Sequence, residues 1–373
     1  MIYLDYASHT PICEEALEEL IRVERSLTGN ALSFHSFGEQ AQLEIRNASE
    51  KIASVMDVCP EEIIFTSGAS ESNNLAIKGI AKAKIHKGRH ILSTCLEHAS
   101  VQGSLQYLSG LGFEVELLAL GKNGQIALPG LERAIRGDTV LICINAIDGE
   151  LGIIQPLKEI YSVLEKHPHV SVHIDASQAM GKHEVAIHGA STLSFAPHKF
   201  YGPLGVGVLY KKSGVVLEPL VHGKGTSLYR GGTPAPALAA ACSKALCLAH
   251  WGMAGNLSHV QTLHAYAAKK LTQIPKVQIN SPKNPSPYIL NFGISGIKAR
   301  KAQQLFNEMG VALSTKSACS SDNAPSRAVY AVTGDRRRAA SSLRLGFGVG
   351  NTFGEIDRLV ECARYIAGLN GIQ

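Results

Sequence analysis

Ile63-Ile64-Phe65-Thr66-Ser67-Gly68-Ala69-Ser70-Glu71-Ser72-Asn73-Asn74-Leu75 decides the fold. Its first four residues read as a buried strand, the next four as a turn of small residues, and a helical pattern opens at Glu71. A helix that starts straight out of a strand offers free backbone N–H groups and the positive end of its dipole to an anion. The Ser70 hydroxyl can join that cup, or Ser70 can serve only as the helix N-cap. No Gly-Lys-Ser/Thr closes the turn, so it is not a P-loop. No G-x-G-x-x-G follows a strand elsewhere, which argues against a dinucleotide site.

The same alternation runs outward in both directions. Helical pattern covers residues 39–56, strand 63–66, helix 71–83, strand 90–94, helix 99–108 and strand 114–118. Strand 140–145, helix 156–167 and strand 170–175 continue the series, and β-like runs return at 191–196 and 206–210. Such βα alternation predicts an α/β fold, a mostly parallel sheet with helices on both faces. Ligands of such sheets sit beyond the carboxyl ends of the strands. Ser70, His98, Asp175 and Lys199 all follow predicted strands, so they can converge. An Ala-rich helix is expected at 235–250, with a break at Gly252-Met253-Ala254-Gly255. Beyond it, helix to about 271, strand 288–292, helix 299–309, strand 342–346 and helix 353–367 read as a smaller α+β domain. The expected division is a large domain at 12–250 and a small one from 1–11 and 251–373.

Composition narrows the classes. The 373 residues are 45% hydrophobic and 18% charged, with a formal charge of +5, enough for two domains and a large core. No basic stripe with interleaved aromatics argues for nucleic-acid binding. Arg336-Arg337-Arg338 reads as a solvated turn or a docking patch for an acidic partner. Eight cysteines without a C-x-x-C pair argue against a zinc site or a disulfide framework. Free thiols and no signal peptide point to the cytosol, and no apolar run of about 18 residues predicts a membrane span. His169 and His173 lie on a strand, about 13 Å apart, too far to share a metal.

In Ser194-Phe195-Ala196-Pro197-His198-Lys199-Phe200-Tyr201-Gly202-Pro203, a lysine follows a strand and precedes a tight Gly-Pro turn. Held and desolvated there, its amine can form a Schiff base with an aldehyde cofactor. A solvated loop lysine is the plainer reading of those residues alone. Asp175, which ends the apolar run 170–174, adds the second requirement. Pyridoxal 5'-phosphate needs such a lysine and a carboxylate that keeps its pyridine nitrogen protonated.

These motifs resemble the cysteine desulfurases, fold-type I pyridoxal-phosphate enzymes of the class V aminotransferase group. The matches run in order over nearly the whole chain. They are Tyr3-Leu4-Asp5-Tyr6-Ala7 with Thr10-Pro11, then Gly29-Asn30 with Ser33, His35 and Gly38, then the 63–74 cup. Glu97-His98, Asp175 with Gln178, His198-Lys199, Arg230 with Gly232-Thr233, Ser317-Ala318-Cys319-Ser320-Ser321 and Ser342-Leu343-Arg344 follow. The resemblance implies a mostly parallel, seven-stranded-type sheet. It implies Lys199, Cys319 and His98 as catalytic residues, and Lys199, Ala69, Ser70, His98, Asp175, Gln178, His198 and Thr233 as cofactor-binding residues. Arg344 and Asn30 would bind substrate.

The implied reaction converts L-cysteine to L-alanine, leaves a persulfide on Cys319 and passes the sulfur to an acceptor protein in iron–sulfur assembly, tRNA thiolation or a related pathway. A homodimer is implied because the Thr233 segment would reach the neighbouring subunit's phosphate site. Departures from the pattern are Ala196 for a serine, Gly149 for an asparagine, Thr226-Ser227-Leu228 for Gln/His-Glu-Arg, His9 for a threonine and Lys316 for a glycine. The chain also stops soon after its last helix, where relatives that dock iron–sulfur scaffolds often carry a longer tail. Selenocysteine lysis, another class V reaction, or a degenerate paralogue acting in sulfur relay are the competing expectations.

Overall fold

The computed structural model describes residues 1–316 and 324–369. Its strands are β1 (Ile2–Tyr3), β2 (Ile63–Thr66), β3 (His90–Ser93), β4 (Glu114–Leu117), β5 (Thr139–Asn145) and β6 (Ser171–Asp175), then β7 (Thr192–Phe195), β8 (Gly207–Lys211), β9 (Val277–Ile279), β10 (Ile289–Ile294), β11 (Val311–Ala312) and β12 (Ser342–Gly346). Its helices are α1 (Glu14–Ser26), α2 (Ser36–Met56), α3 (Ala69–Ala83), α4 (Ala99–Gly110), α5 (Leu128–Ala134) and α6 (Leu157–Leu164), then α7 (Pro236–Leu271), α8 (Ala299–Glu308), α9 (Arg327–Thr333), α10 (Arg336–Ala340) and α11 (Phe353–Gly368).

Seven strands form one sheet in the order β2-β8-β7-β6-β5-β3-β4. Only β8 runs against its neighbours, β2 and β7; the other four pairings are parallel. Burial on both faces explains the unbroken apolar runs. In β5, Ile142 and Ile144 join one core with α6 and α7, while Leu141 and Cys143 face a second core with α3 and α4. Register aligns Asn145, Asp175 and Ser194 across three adjacent strand ends. The turns that leave those ends carry the chemistry-bearing residues.

A separate antiparallel sheet, β12-β10-β9, has its own core with α8, α11 and the second half of α7. The N-terminus joins it: β1 pairs with β11, and Leu4 is wholly buried there.

The expected break in the Ala-rich helix does not occur, and α7 runs unbroken through Gly252 and Gly255. Cys242, Ala245 and Leu246 bury in the large core, while Val260, Leu263, Ala267 and Leu271 bury in the small one. Two helical glycines cost about 1 kcal/mol each. Seven anchoring side chains at up to about 1.5–3 kcal/mol apiece for the larger ones outweigh that. Among the described helices α7 alone is long and apolar enough to cross a membrane, and half of that stretch is buried in the protein.

Two smaller expectations also change. The Arg336–Arg338 run is not a solvated turn but the start of α10, capped by Asp335. Arg336 and Arg337 are exposed, whereas Arg338 donates to Asn280 Oδ1 at 3.0 Å and Ile279 O at 2.7 Å. Ser70 is not the N-cap of α3, because Gly68 takes that place and Ser70 lies inside the first turn.

Candidate active site

One cavity of about 900 Å³ opens at the carboxyl edge of the large sheet. Ala69, Ser70, His98, Asp175, Gln178, His198, Lys199 and Arg344 all line it. Those residues come from α3, from the turns after β3, β6 and β7, and from β12. Thr233 does not reach it. Thr233 lines a smaller neighbouring cavity with Thr226, Ser227 and Arg230, and the two cavities share Ser67 and Gly205. Asn30 is exposed, outside both cavities, with its Oδ1 accepting from Leu32 N at 2.9 Å. Cys319 lies outside the described residues, but Lys316 and Ala324, which flank that stretch, both line the large cavity. Lys316 Nζ donates to Ala324 O at 3.0 Å.

Lys199 follows β7 in a single 3₁₀ turn, Pro197–Lys199. Its Nζ donates to Ala7 O at 2.9 Å and Ser8 O at 2.7 Å. The N-terminal segment is tied to the lysine turn at Thr10, whose Oγ1 donates to His198 O at 3.0 Å and accepts from Tyr201 N at 2.6 Å. Tyr201 holds φ +67°, a left-handed conformation uncommon outside glycine and costing about 1–3 kcal/mol. Strain and cross-ties at one turn fix where the amine points.

Asp175 ends β6. Its Oδ1 accepts from Ser177 N at 3.0 Å and Ser177 Oγ at 2.6 Å, and its Oδ2 accepts from Asn73 Nδ2 at 2.8 Å. His98 caps α4, and burial holds its imidazole below the usual range; the Lys199 charge acts the same way and Asp175 opposes it. His198 is driven down to about 4 by burial first, then by Lys199, His9 and Lys182. Both rings are therefore neutral at pH 7.

Arg344 is 2% exposed. It donates to Asp5 Oδ1 at 2.8 Å, Ser8 Oγ at 2.6 Å and Gly149 O at 2.9 Å, and its buried Nε has no partner. Gln178 donates to Ala7 O at 2.9 Å, and its Oε1 accepts from Lys182 Nζ at 3.4 Å. Lys182 is buried and pushed down to about 7, chiefly by burial and then by Lys199 and Arg344. Glu97, at the end of the β3 turn, accepts from Thr94 Oγ1 at 2.7 Å, and burial raises its carboxyl to about 8.

The donor set fits pyridoxal 5'-phosphate. The start of α3 supplies N–H groups to an anion, and a Cβ at Gly207 would run into the Gly68 and Ala69 backbone that forms this cup. Asp175 offers a carboxylate toward a ring nitrogen, His98 a ring face, Lys199 an amine and Arg344 a buried guanidinium with an unused donor. Of the departures, Ala196 is wholly buried and is not part of the cavity wall. Gly149 lines it, leaving space beside Gln178, where a Cβ would meet the amide at an ordinary 3.7 Å.

Sequence reasoning missed Asp5, Ser8, Lys182, Ser100 and the role of Asn73. Asp5, Ser8 and Asn73 act through partners far along the chain, which no local spacing marks, whereas Lys182 and Ser100 meet Gln178 and His98 only four and two positions away. Among the described residues no cluster could hold a metal ion.

Comparison with known proteins agrees with this geometry. The chain is 35% identical over 367 residues to a NifS/IcsS protein homolog of Lactobacillus delbrueckii subsp. bulgaricus, covering 96% of this chain and 95% of that one. It is 35% identical over 379 residues to cysteine desulfurase IscS of Dictyoglomus turgidum, covering 98% and 96%. A solved NifS-like protein superposes with a TM-score of 0.92 at 31% identity, covering 98% of both chains. Residues 2–359 match the aminotransferase class V family, a family of pyridoxal-phosphate enzymes, and the chain belongs to it.

Proposed function

We propose that this protein is a cysteine desulfurase that converts L-cysteine to L-alanine and carries the released sulfur as a persulfide on Cys319. The observation that carries this reading is the convergence of Lys199, Asp175, His98, the α3 cup and Arg344 on one cavity, with the flanks of the Cys319 stretch at its rim.

When bound, pyridoxal phosphate supplies an aldehyde that condenses with amines and a ring that accepts electrons from the substrate α carbon. Lys199 would hold the cofactor through its amine, and as a free amine it would move protons at the substrate α carbon. Arg344 grips the substrate carboxylate, with Asp5 and Ser8 holding the guanidinium plane. Asp175 keeps the ring nitrogen charged. His98 would offer its ring face to the cofactor ring and would exchange a proton with the substrate. The Cys319 thiolate attacks the substrate sulfur, an S–S bond forms as the Cβ–S bond breaks, and that bond's electron pair stays on the β carbon, which takes up a proton to become the methyl group of alanine.

A homodimer fits the surface. Phe34, Phe37, Leu204 and Leu228 are large apolar side chains with at least half their area exposed, and Leu204 sits on the cavity wall. In such a dimer Thr233 serves the partner subunit's phosphate site, and Asn30 reaches substrate. The domain division at 12–250, with 1–11 and 251–373 forming the second unit, follows the two cores and puts the boundary inside α7. A cytoplasmic location fits the seven described cysteines, all free. The sulfur then passes to an acceptor protein.

Product analysis tests the activity. Purified protein loaded with pyridoxal phosphate should release alanine and, with a reductant, sulfide in equal amounts from L-cysteine. Cys319→Ser should remove sulfide release. A keto acid product would mean transamination. Turnover of selenocysteine alone, independent of Cys319, would mean a selenocysteine lyase.

A further inference from the structure

Asn73 lies in the second turn of α3 and is wholly buried. All four of its side-chain hydrogen-bonding positions are used. Nδ2 donates to Asp175 Oδ2 at 2.8 Å and to Ser100 Oγ at 2.9 Å. Oδ1 accepts from His173 Nε2 at 2.9 Å and from the Ser194 hydroxyl. A carboxylate only accepts, so the nitrogen side of the amide must face Asp175. His173 must then carry its proton on Nε2, and its Nδ1 accepts from Thr192 Oγ1 at 2.9 Å. Burial keeps that imidazole neutral, with its pKa held well below the usual range.

The network continues to His98. The Ser100 hydroxyl accepts from Asn73 and contacts His98 Nδ1 at 2.8 Å, while the Ser100 backbone N–H donates to the same nitrogen at 3.2 Å. A nitrogen that receives a backbone N–H presents a lone pair and carries no proton of its own. His98 also caps α4, where the positive end of the helix dipole opposes an imidazolium. Its proton therefore sits on Nε2, the ring's remaining polar position.

We propose that Asn73 is the positioning residue of this centre: it fixes the Asp175 carboxylate on one side and, through Ser100, holds His98 with its proton on Nε2 on the other. Strand order makes this possible, because α3 packs against β5, β6 and β7 and so puts one amide between the two groups. The consequence is directional. A neutral His98 that starts with an N–H must give a proton before it can take one, so its first act is as an acid. The inference rests on the reading in which Asp175 and His98 face the cofactor, but the tautomer belongs to the chain itself and is measurable without turnover.

The test is ¹⁵N NMR of histidine-labelled protein at neutral pH, without cofactor, with His98→Gln used to assign the signal. The expected result is an unprotonated Nδ1 and a protonated Nε2 on His98. Ser100→Ala and Asn73→Ala remove the hydroxyl contact to Nδ1 or its orientation while the Ser100 backbone N–H remains, so both should shift the tautomer balance only in part toward Nδ1–H. In the loaded enzyme both should lower kcat by about 10- to 100-fold, with KM for cysteine changed much less. Ser100→Thr, which keeps the hydroxyl, should recover most of the loss. If Asn73→Ala does not fold, Ser100→Ala at the edge of the network carries the test. A wild-type His98 protonated on Nδ1, or charged, overturns the proposal, as does wild-type kcat in both alanine variants. A protein that shows the expected tautomer but does not desulfurate cysteine keeps this inference and overturns the function instead.

Discussion

The floor and the rim of the cavity are built by different rules. At the floor, Asp175, Asn73, His173 and Ser194 are all buried and bonded to one another across α3, β6 and β7. At the rim, Lys316 donates to its near neighbour Ala324, and exposed Arg327 meets Gln102 of α4. Every floor contact sits in a low-dielectric setting, where an unpaired polar group costs about 1–3 kcal/mol. Rim contacts exchange with water at little cost. The floor therefore tolerates few changes, and at the rim Lys316 stands in place of a glycine.

Lys199→Ala is the severest test of the floor. It should abolish the covalent cofactor link and lower activity on the order of 10⁴-fold. Borohydride reduction followed by peptide mapping checks it, and an adduct on any lysine other than Lys199 would break the assignment.

Arg344→Lys comes next. It keeps the charge near Asp5 but loses the planar fork that also reaches Ser8 and Gly149. KM for cysteine should rise about 10- to 100-fold. Steady-state kinetics reads this, and an unchanged KM would remove Arg344 from the substrate site.

Glu97→Gln probes floor electrostatics through stability. Burial raises the Glu97 carboxyl to about 8, above its ordinary 4.5. The folded protein then holds a proton that the unfolded chain has lost. That contribution is full below pH 4.5 and is lost as pH rises toward 8, by up to about 1.4 kcal/mol per unit. The glutamine mimics the protonated acid, so the variant should gain stability relative to wild type between pH 5 and 8 on that same interval. Urea denaturation across the interval measures it, and parallel curves for the two proteins would contradict a neutral buried Glu97.

The smallest effect belongs to the rim. Lys316→Gln should change the iodoacetamide labelling rate of Cys319 by less than about threefold, because water and salt screen an ammonium there. A much larger slowing that vanishes at high salt would show that Lys316 activates the thiol, and would make the rim as demanding as the floor.

The local signals that sequence carries were enough for much of this. Residues 63–75 wrote out a strand, a cup and a helix, and the expected strands fell within a residue or two of their bounds, while the short strands Val277–Ile279 and Val311–Ala312 were not read. Lys199, Asp175, His98 and Ser70 were legible because each follows a strand, and parallel α/β sheets gather such positions at one edge. Three expectations failed for tertiary reasons. The glycines of α7 do not break it because both halves are held by separate cores. Ser70 yields the cap of α3 to Gly68, and Arg338 finds Asn280 instead of water.

What the sequence determined alone was the class of fold, the family, and which residue types could do the chemistry. These depend on period, turn residues and spacing, all of which are local. Only the tertiary structure decided who holds whom. Asn73 meets Asp175 across 102 positions, and Arg344 meets Asp5 across 339. Those partners are set by strand order and by the N-terminal segment lying over the lysine turn. A hydrogen bond leaves no mark on the spacing of residues that lie so far apart, so the network at the floor can be read only once the sheet is assembled.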